Sequence, residues 1–355
     1  MDVFRGSRRP GGPTPGGRRV PAAPTPGPPG PAAGDAPTPD HAPLPGPVRL
    51  PSPVQPLADP AFARAGVELF LKRDDLINPA VPGNKWRKLL PNLHAARRLG
   101  HRRVLTFGGA YSNHVRAVAA ACAAWGFESI ALIRGEELAD RPRNWSLARA
   151  EAQGMRLVFV DRGTYRRLRR DLAEPETRRL LERRFGPCLL LPEGGSNGLA
   201  ARGAAEVAAE LTAQLPDFGP RDVVACAVGT GGTLAGLAAG LPPGARALGV
   251  AVLNAPGHLE REVARLHAEG FHRAFGNWRL DHGHHGGGYG RVPPELEAFA
   301  RDFADRHGLD PERRYVAKTL RCLRLLATQG AFPPGTRLTA VVTGPPDPRP
   351  EPAPA

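Results

Sequence analysis

From about residue 48 the chain alternates short apolar or β-branched runs with longer helical ones, and that alternation limits the folds open to it. VELFLKRDD reads as a strand, KWRKLLPNLHAARRLG as a helix with a kink near Pro91, RRVLTFGG as a strand, and NHVRAVAAACAAWG as an Ala-rich helix stopped by Gly126. SIALIRG, MRLVFVD, PCLLLPEGG, DVVACAVG, ARALGVAVL and RLTAVVTG continue the strands. NWSLARAEAQG, YRRLRRDLAE, ETRRLLERRFG, LAARGAAEVAAELTAQL, TLAGLAAGL, PELEAFARDFADRHG and YVAKTLRCLRLLATQG continue the helices. Repeated strand–helix alternation implies parallel sheets covered by helices on both faces. A chain of 355 residues with 41% hydrophobic content can fill the cores of one large or two medium domains of that kind.

Residues 1–47 stand apart. They hold a third of the chain's 41 prolines and few large apolar residues, so they bury too little surface to offset their ordering entropy and read as a disordered Pro/Gly/Arg-rich tail. Residues 346–355 receive the same reading. Proline density excludes the amphipathic helix of a transit peptide, and no apolar signal core is present, which points to a cytoplasmic chain. A net charge of +14 raises the question of nucleic acid. The arginines, however, are scattered in ARRLGHRR, YRRLRR and TRRLLERR like the wet faces of helices and lie in no nucleic-acid motif, so no such partner is expected.

The uncharged stretch Val223–Leu241 approaches bilayer-spanning length, but its five glycines and central GTGG favour a buried strand, a loop and a packed helix, and no membrane partner is expected. The four cysteines, Cys122, Cys188, Cys226 and Cys322, are far apart and never form a CxxC pair. They suggest neither a disulfide framework nor a zinc knuckle, and read as small buried hydrophobes in a reducing compartment.

In open α/β sheets, ligands gather beyond the carboxyl ends of strands, where loops enter helix N-termini. Three such junctions offer glycines, small hydroxyls and free backbone N–H groups: TFGGAYSNH, LPEGGSNG and AVGTGGTLAG. In the last, Thr230 and Thr233 supply hydroxyls beside Gly229, Gly231 and Gly232, which makes a phosphate cradle. It is not a dinucleotide fingerprint, because Leu234 stands where the third glycine belongs and the following strand ends without a ribose-binding acid. A smaller phosphorylated ligand fits better.

Lys85, in PAVPGNKWRKLL, follows a Gly-Asn turn and opens a helix. The positive helix end, partial burial, and the neighbouring Arg87 and Lys88 all disfavour its protonated form, which would make the amine nucleophilic near neutral pH and able to form a Schiff base. A lysine in an unknown loop is ordinarily a solvated cation, but here it accompanies a phosphate cradle and two further anion-receptive loops.

LKRDDL, GNKWRKL, TFGGAYSNH, LPEGGSNGLAARG and AVGTGGTLAG, in that order, resemble the 1-aminocyclopropane-1-carboxylate deaminase and D-cysteine desulfhydrase family from about Pro51 to Gly344. These are pyridoxal-phosphate enzymes of the tryptophan synthase β-like fold (fold type II), with two doubly wound parallel-sheet α/β domains. The resemblance implies a catalytic region over 48–345 with a smaller inserted domain at roughly 95–200. It implies pyridoxal 5'-phosphate as cofactor, a small amino acid as substrate and a homodimer.

By that resemblance Lys85 is the cofactor-linked lysine and later the base at Cα, Asn84 bonds the cofactor's phenolic oxygen, and Lys88 lies near its phosphate. Gly229, Thr230, Gly231, Gly232 and Thr233 match the phosphate loop. Ser112, Asn113 and His114 match the segment that binds the substrate carboxylate, with Ser112 also near the reacting carbons. Ser112 and Asn113 are natural N-caps for VRAVAAACAAW, which suits that role. Tyr289 and Tyr315 are its active-site aromatics, Tyr315 beside the cofactor. Asp74 and Asp75 in KRDD read either as structural or as surface salt bridging.

Departures from the family pattern guide the choice of reaction. VVTGPPDP keeps Thr343 and Gly344 where His-Thr-Gly-Gly is usual, and its prolines fix the following loop differently. Val316 follows Tyr315 where the ring-opening deaminases carry a glutamate facing the pyridine nitrogen, and Thr343 fits the desulfhydrase pattern at that nitrogen. The expected reaction is α,β-elimination from D-cysteine, with 1-aminocyclopropane-1-carboxylate deamination as the alternative and a cofactor-binding protein without catalysis as the alternative of another class. DHGHHGGGYG has three close histidines, but no cysteine or well-spaced acid is evident beside them, so no metal is expected.

Overall fold

The computed structural model describes residues 47–346. The expected disordered tails lie outside that range, apart from Pro47 and Pro346 at its ends. Ten strands occur among the described residues: β1 (Val54–Leu57), β2 (Glu68–Lys72), β3 (Arg103–Gly108), β4 (Glu128–Arg134), β5 (Arg156–Val160), β6 (Leu189–Leu190), β7 (Asp222–Val228), β8 (Arg246–Ala251), β9 (Trp278–Asp281) and β10 (Arg337–Val341). They form a six-stranded sheet in the order β1-β2-β10-β7-β8-β9 and a four-stranded sheet in the order β5-β4-β3-β6. Only the β1–β2 pair is antiparallel; all other pairs are parallel.

The expected α/β architecture of parallel sheets is therefore present. Every residue of β7 is buried, as befits a parallel strand covered on both faces. The four-stranded sheet takes its strands from residues 103–190, and the six-stranded sheet takes its strands from either side of that span. Each packs its own apolar clusters, with Val118 and Ile133 in one and Val224, Leu237 and Leu266 in another.

Helix Asn84–Arg98 continues through Pro91 as one element. Proline has no N–H for the carbonyl of Arg87 four residues back. That carbonyl faces helix Gly198–Gln214 at Gly203, where a Cβ would lie 2.0 Å from the oxygen. The backbone approach that holds the two helices together thus requires glycine at 203.

Arg87 itself departs from the expectation of a basic patch pressing on Lys85. Its guanidinium is 1% exposed and turns away to Asp74 at 2.9 Å and Glu210 at 2.8 Å. Asp74 is fully buried rather than part of a surface bridge, whereas Asp75 pairs with the partly exposed Arg73 at 2.8 Å. Lys72 joins the same network, donating to Ser52 O at 2.7 Å and meeting Glu210 at 2.5 Å. These charges tie β2, the turn after it and helix Asn84–Arg98 to helix Gly198–Gln214, more than 120 positions away.

The uncharged stretch Val223–Leu241 forms β7, a Gly-rich loop and helix Gly232–Gly240, as expected. No described helix is long and apolar enough to cross a membrane. The sequence pattern missed β1, β9, helix Pro60–Arg64 and helix His258–Phe271. Three of these have only four or five residues. The fourth carries so many charges that its buried stripe of Leu259, Val263 and Leu266 is hard to see.

Candidate active site

The three glycine-rich junctions open into one cavity of about 1280 Å³. Asn84, Lys85, Lys88, Ser112, Asn113, His114, Gly229, Thr230, Gly231, Gly232, Thr233, Tyr289, Tyr315 and Thr343 all line it. Every residue singled out from the sequence as a site residue is thus brought to the same space, although they span more than 250 positions.

Lys85 is the second residue of helix Asn84–Arg98, which starts at Gly83 with φ 76°. Its Nζ donates to Asn84 Oδ1 at 3.1 Å, and Asn84 Nδ2 donates to Thr233 Oγ1 at 2.9 Å. Lys85 is partly buried, with its amine inside the cavity, and desolvation lowers its pKa to about 8. Loss of solvent is sufficient for this. Arg87 does not press on this amine, because its guanidinium turns away and is paired with Asp74 and Glu210.

Lys88, one turn further on, is 3% exposed and donates to Ser196 Oγ at 3.2 Å. Ser196 Oγ in turn lies 2.6 Å from Thr230 Oγ1. Burial first, and then the Lys85 charge, hold the Lys88 ammonium well below its ordinary pKa. An anion placed here would reverse that penalty.

The donors around this point fit a phosphate. A Cβ on Gly232 would sit 2.8 Å from Ser196 Oγ and 2.9 Å from Lys88 Nζ, so glycine keeps open the space those donors face. The start of helix Gly232–Gly240 adds free N–H groups and a positive helix end. The set of lysine, hydroxyls and backbone donors contains no carboxylate, which suits a dianion and not a metal cation.

Ser112 caps helix Asn113–Trp125, its Oγ accepting from Val115 N at 3.3 Å. Asn113 is the first helical residue and accepts from Arg116. His114 is 2% exposed; its Nε2 lies 2.8 Å from Thr106 Oγ1, while Nδ1 is buried without a partner among the described residues. Burial and the Lys85 and Lys88 charges hold His114 well below its ordinary pKa, so it is neutral. Tyr315 donates through its hydroxyl to Tyr289 Oη at 3.2 Å, and burial raises the Tyr315 pKa well above normal. Thr343 contributes its carbonyl, which accepts from Asn84 N at 3.1 Å.

Sequence reasoning did not include Ser196 or Thr106 among the site residues. LPEGGSNG had marked the right loop, but the direction of a serine hydroxyl is set by tertiary contacts. The histidine-rich stretch also gains what it lacked: His284 meets Asp281 and Cys322.

Two largely parallel sheets whose strand ends converge on a desolvated lysine, a carboxylate-free phosphate cradle and a capped helix start define a phosphate-cofactor enzyme. The chain matches the family described as "Pyridoxal-phosphate dependent enzyme" over residues 47–344, and it belongs to that family. Its cofactor is pyridoxal phosphate.

It is 35% identical over 176 residues to a putative 1-aminocyclopropane-1-carboxylate deaminase of Thermotoga maritima, covering 50% of this chain and 54% of that protein. It is also 35% identical over 196 residues to a D-cysteine desulfhydrase of Klebsiella pneumoniae, covering 53% of this chain and 58% of the other. The chain thus spans little more than half the length of these curated relatives. Among solved structures, an ACC deaminase homologue shares the fold with a TM-score of 0.69 at 24% identity, over 85% of this chain and 90% of that one. A hydrogen sulfide-producing enzyme from Fusobacterium nucleatum does so with a TM-score of 0.59 at 17% identity, over 86% and 95% of the two chains.

Proposed function

We propose that this enzyme catalyses α,β-elimination from a small D-amino acid, foremost D-cysteine, which with water gives pyruvate, ammonia and hydrogen sulfide. The observation that carries this reading is the position of Lys85 in one cavity with a phosphate cradle and the start of helix Asn113–Trp125. Pyridoxal phosphate, when bound, supplies the electron sink that lets a bond at the substrate Cα break.

The residues would divide the work as follows. Lys85 would be the residue that holds the cofactor covalently, and its Nζ would serve as the base for the substrate Cα proton; a pKa of about 8 suits both tasks at neutral pH. Lys88, Ser196, Thr230, Thr233 and the Gly229–Gly232 backbone hold the phosphate. Asn84 would bond the cofactor's phenolic oxygen, and Thr343 would serve its ring nitrogen. Ser112, Asn113 and the free N–H groups beside them bind the substrate carboxylate, with neutral His114 beneath. The Tyr289 hydroxyl, oriented by Tyr315, gives the departing sulfur its proton.

Support for elimination over ring opening comes from Val316, which puts an apolar side chain after Tyr315. The Thermotoga maritima relative favours the second reading, 1-aminocyclopropane-1-carboxylate deamination to 2-oxobutyrate and ammonia. Incubating purified, cofactor-loaded protein with D-cysteine, D-serine and the cyclopropane amino acid separates the two. Pyruvate and sulfide from D-cysteine support the proposal, and 2-oxobutyrate from the cyclopropane substrate alone rejects it.

A further inference from the structure

Away from the cavity, three side chains of different chemistry converge where β9 ends. Asp281, the last residue of β9, is 8% exposed, and its Oδ1 lies 2.8 Å from Nδ1 of His284. Cys322 Sγ, fully buried on helix Val316–Thr328, lies 3.4 Å from that same nitrogen. One ligand atom from each residue falls within 4.8 Å of both others. Asp281 Oδ1 also accepts the amides of Gly283 and His284, each at 3.1 Å, which folds the chain back and aims the imidazole at the thiol.

A nucleophilic relay would need the two ring nitrogens to face different partners, one the thiol and one the carboxylate. Here both contacts fall on Nδ1, and the thiol is closed to any substrate. Convergence on one point is instead the arrangement of ligands around an ion. Bonds of about 2.0–2.3 Å to N, O and S at tetrahedral angles place such donors about 3.3–3.6 Å apart. The Cys322–His284 separation is already in that range, and the Asp281–His284 contact would open by about half an ångström.

We propose that Asp281, His284 and Cys322 form a binding site for one divalent transition-metal ion, with zinc as the ion that best fits the donors. Sulfur and imidazole disfavour magnesium and calcium, while a mixed set of S, N and O is ordinary for zinc. Three protein ligands leave a fourth position for water. The His284 side chain is 19% exposed, which gives ion and water a way in. His282 belongs to a different contact, with Glu260 at 2.7 Å, and is not part of the set.

The consequence reaches the cavity. Between His284 and Cys322 the chain makes the glycine-rich loop that carries Tyr289. Lys318, one turn before Cys322, donates to Gly288 O at 2.8 Å, and Tyr315 at the same helix start meets Tyr289. A bound ion adds a further tie between this loop and that helix, and so steadies Tyr289 over the cavity.

The test is to titrate the holoenzyme with Co²⁺ and Zn²⁺ and to repeat the titration on Cys322→Ser and His284→Gln. The expected result is one ion per chain, a near-ultraviolet thiolate-to-cobalt band with intense tetrahedral bands in the red, and a higher melting temperature with zinc. Both variants should lose the cobalt bands and the zinc-induced shift. If Cys322→Ser does not fold, His284→Gln decides, since its side chain reaches the surface. Absence of a thiolate band in the parent protein, or its persistence in a folded variant, overturns the proposal.

Discussion

The amide of Asn84 donates to the carbonyl of Thr343 at 3.1 Å, so the turn that presents Lys85 is built against the loop after β10. Gly83, at φ 76°, fits beneath: a Cβ there would lie 2.0 Å from that carbonyl oxygen. Gly83→Ala therefore adds left-handed strain of about 1–3 kcal/mol to a direct backbone clash. The expected outcome is a lower melting temperature and faster loss of cofactor on dialysis, read by thermal unfolding and by cofactor absorbance. Unchanged retention would show that the turn tolerates a side chain.

Removing the Arg87 charge leaves the fully buried Asp74 without its ion-pair partner and Glu210 with Lys72 alone. Arg87→Met is expected to lower unfolding free energy by about 3–5 kcal/mol. Arg98→Ala, on the exposed side of the same helix, should stay within about 0.5 kcal/mol. Chemical denaturation measures both.

Acid sensitivity follows from the same network. Burial raises the Glu210 carboxyl, but hydrogen bonds and charges from Arg87 and Lys72 outweigh it and hold the pKa below the ordinary 4.5. Its folded pKa is the lower one, so its contribution is full above about pH 4.5 and is lost as pH falls through the folded value. Glu210→Gln should flatten the acid limb of a stability–pH curve while lowering stability at neutral pH.

A desolvated Lys85 has a chemical signature. The rate at which cofactor-free protein takes up pyridoxal phosphate should rise with pH and level off above about 8, the pKa that burial gives this amine. An ordinary lysine would keep gaining reactivity toward 10.5. Stopped-flow absorbance across this range distinguishes them.

The tyrosine pair predicts an asymmetry. Tyr315 donates its hydroxyl proton to Tyr289, which in the proposed elimination would leave the Tyr289 proton for the leaving group. Tyr289→Phe should lower kcat for D-cysteine by about 10²-fold or more, and Tyr315→Phe by less. Pyruvate release measures both.

What the sequence revealed depended on distance along it. The Gly-Asn-Lys turn, the Ser112 cap and the cradle at Gly229–Thr233 are local, with backbone chemistry set by adjacent residues, and they could be read directly. Arg87 could not, because its partners lie 13 and 123 positions away and its burial reverses the reading of a basic patch. Cys322 sits 38 positions from His284, so a histidine-rich stretch looked incomplete until the helix carrying the thiol was packed against it. Edge strands β1 and β9 were too short to show a period.

The most direct measurement is borohydride reduction of the cofactor-loaded protein followed by peptide mapping. A single pyridoxyl group on Lys85, with none taken up by Lys85→Ala under the same conditions, is the predicted result. A label on Lys88 or on any other lysine, or undiminished labelling of Lys85→Ala, would contradict the assignment of Lys85 as the residue that carries the cofactor.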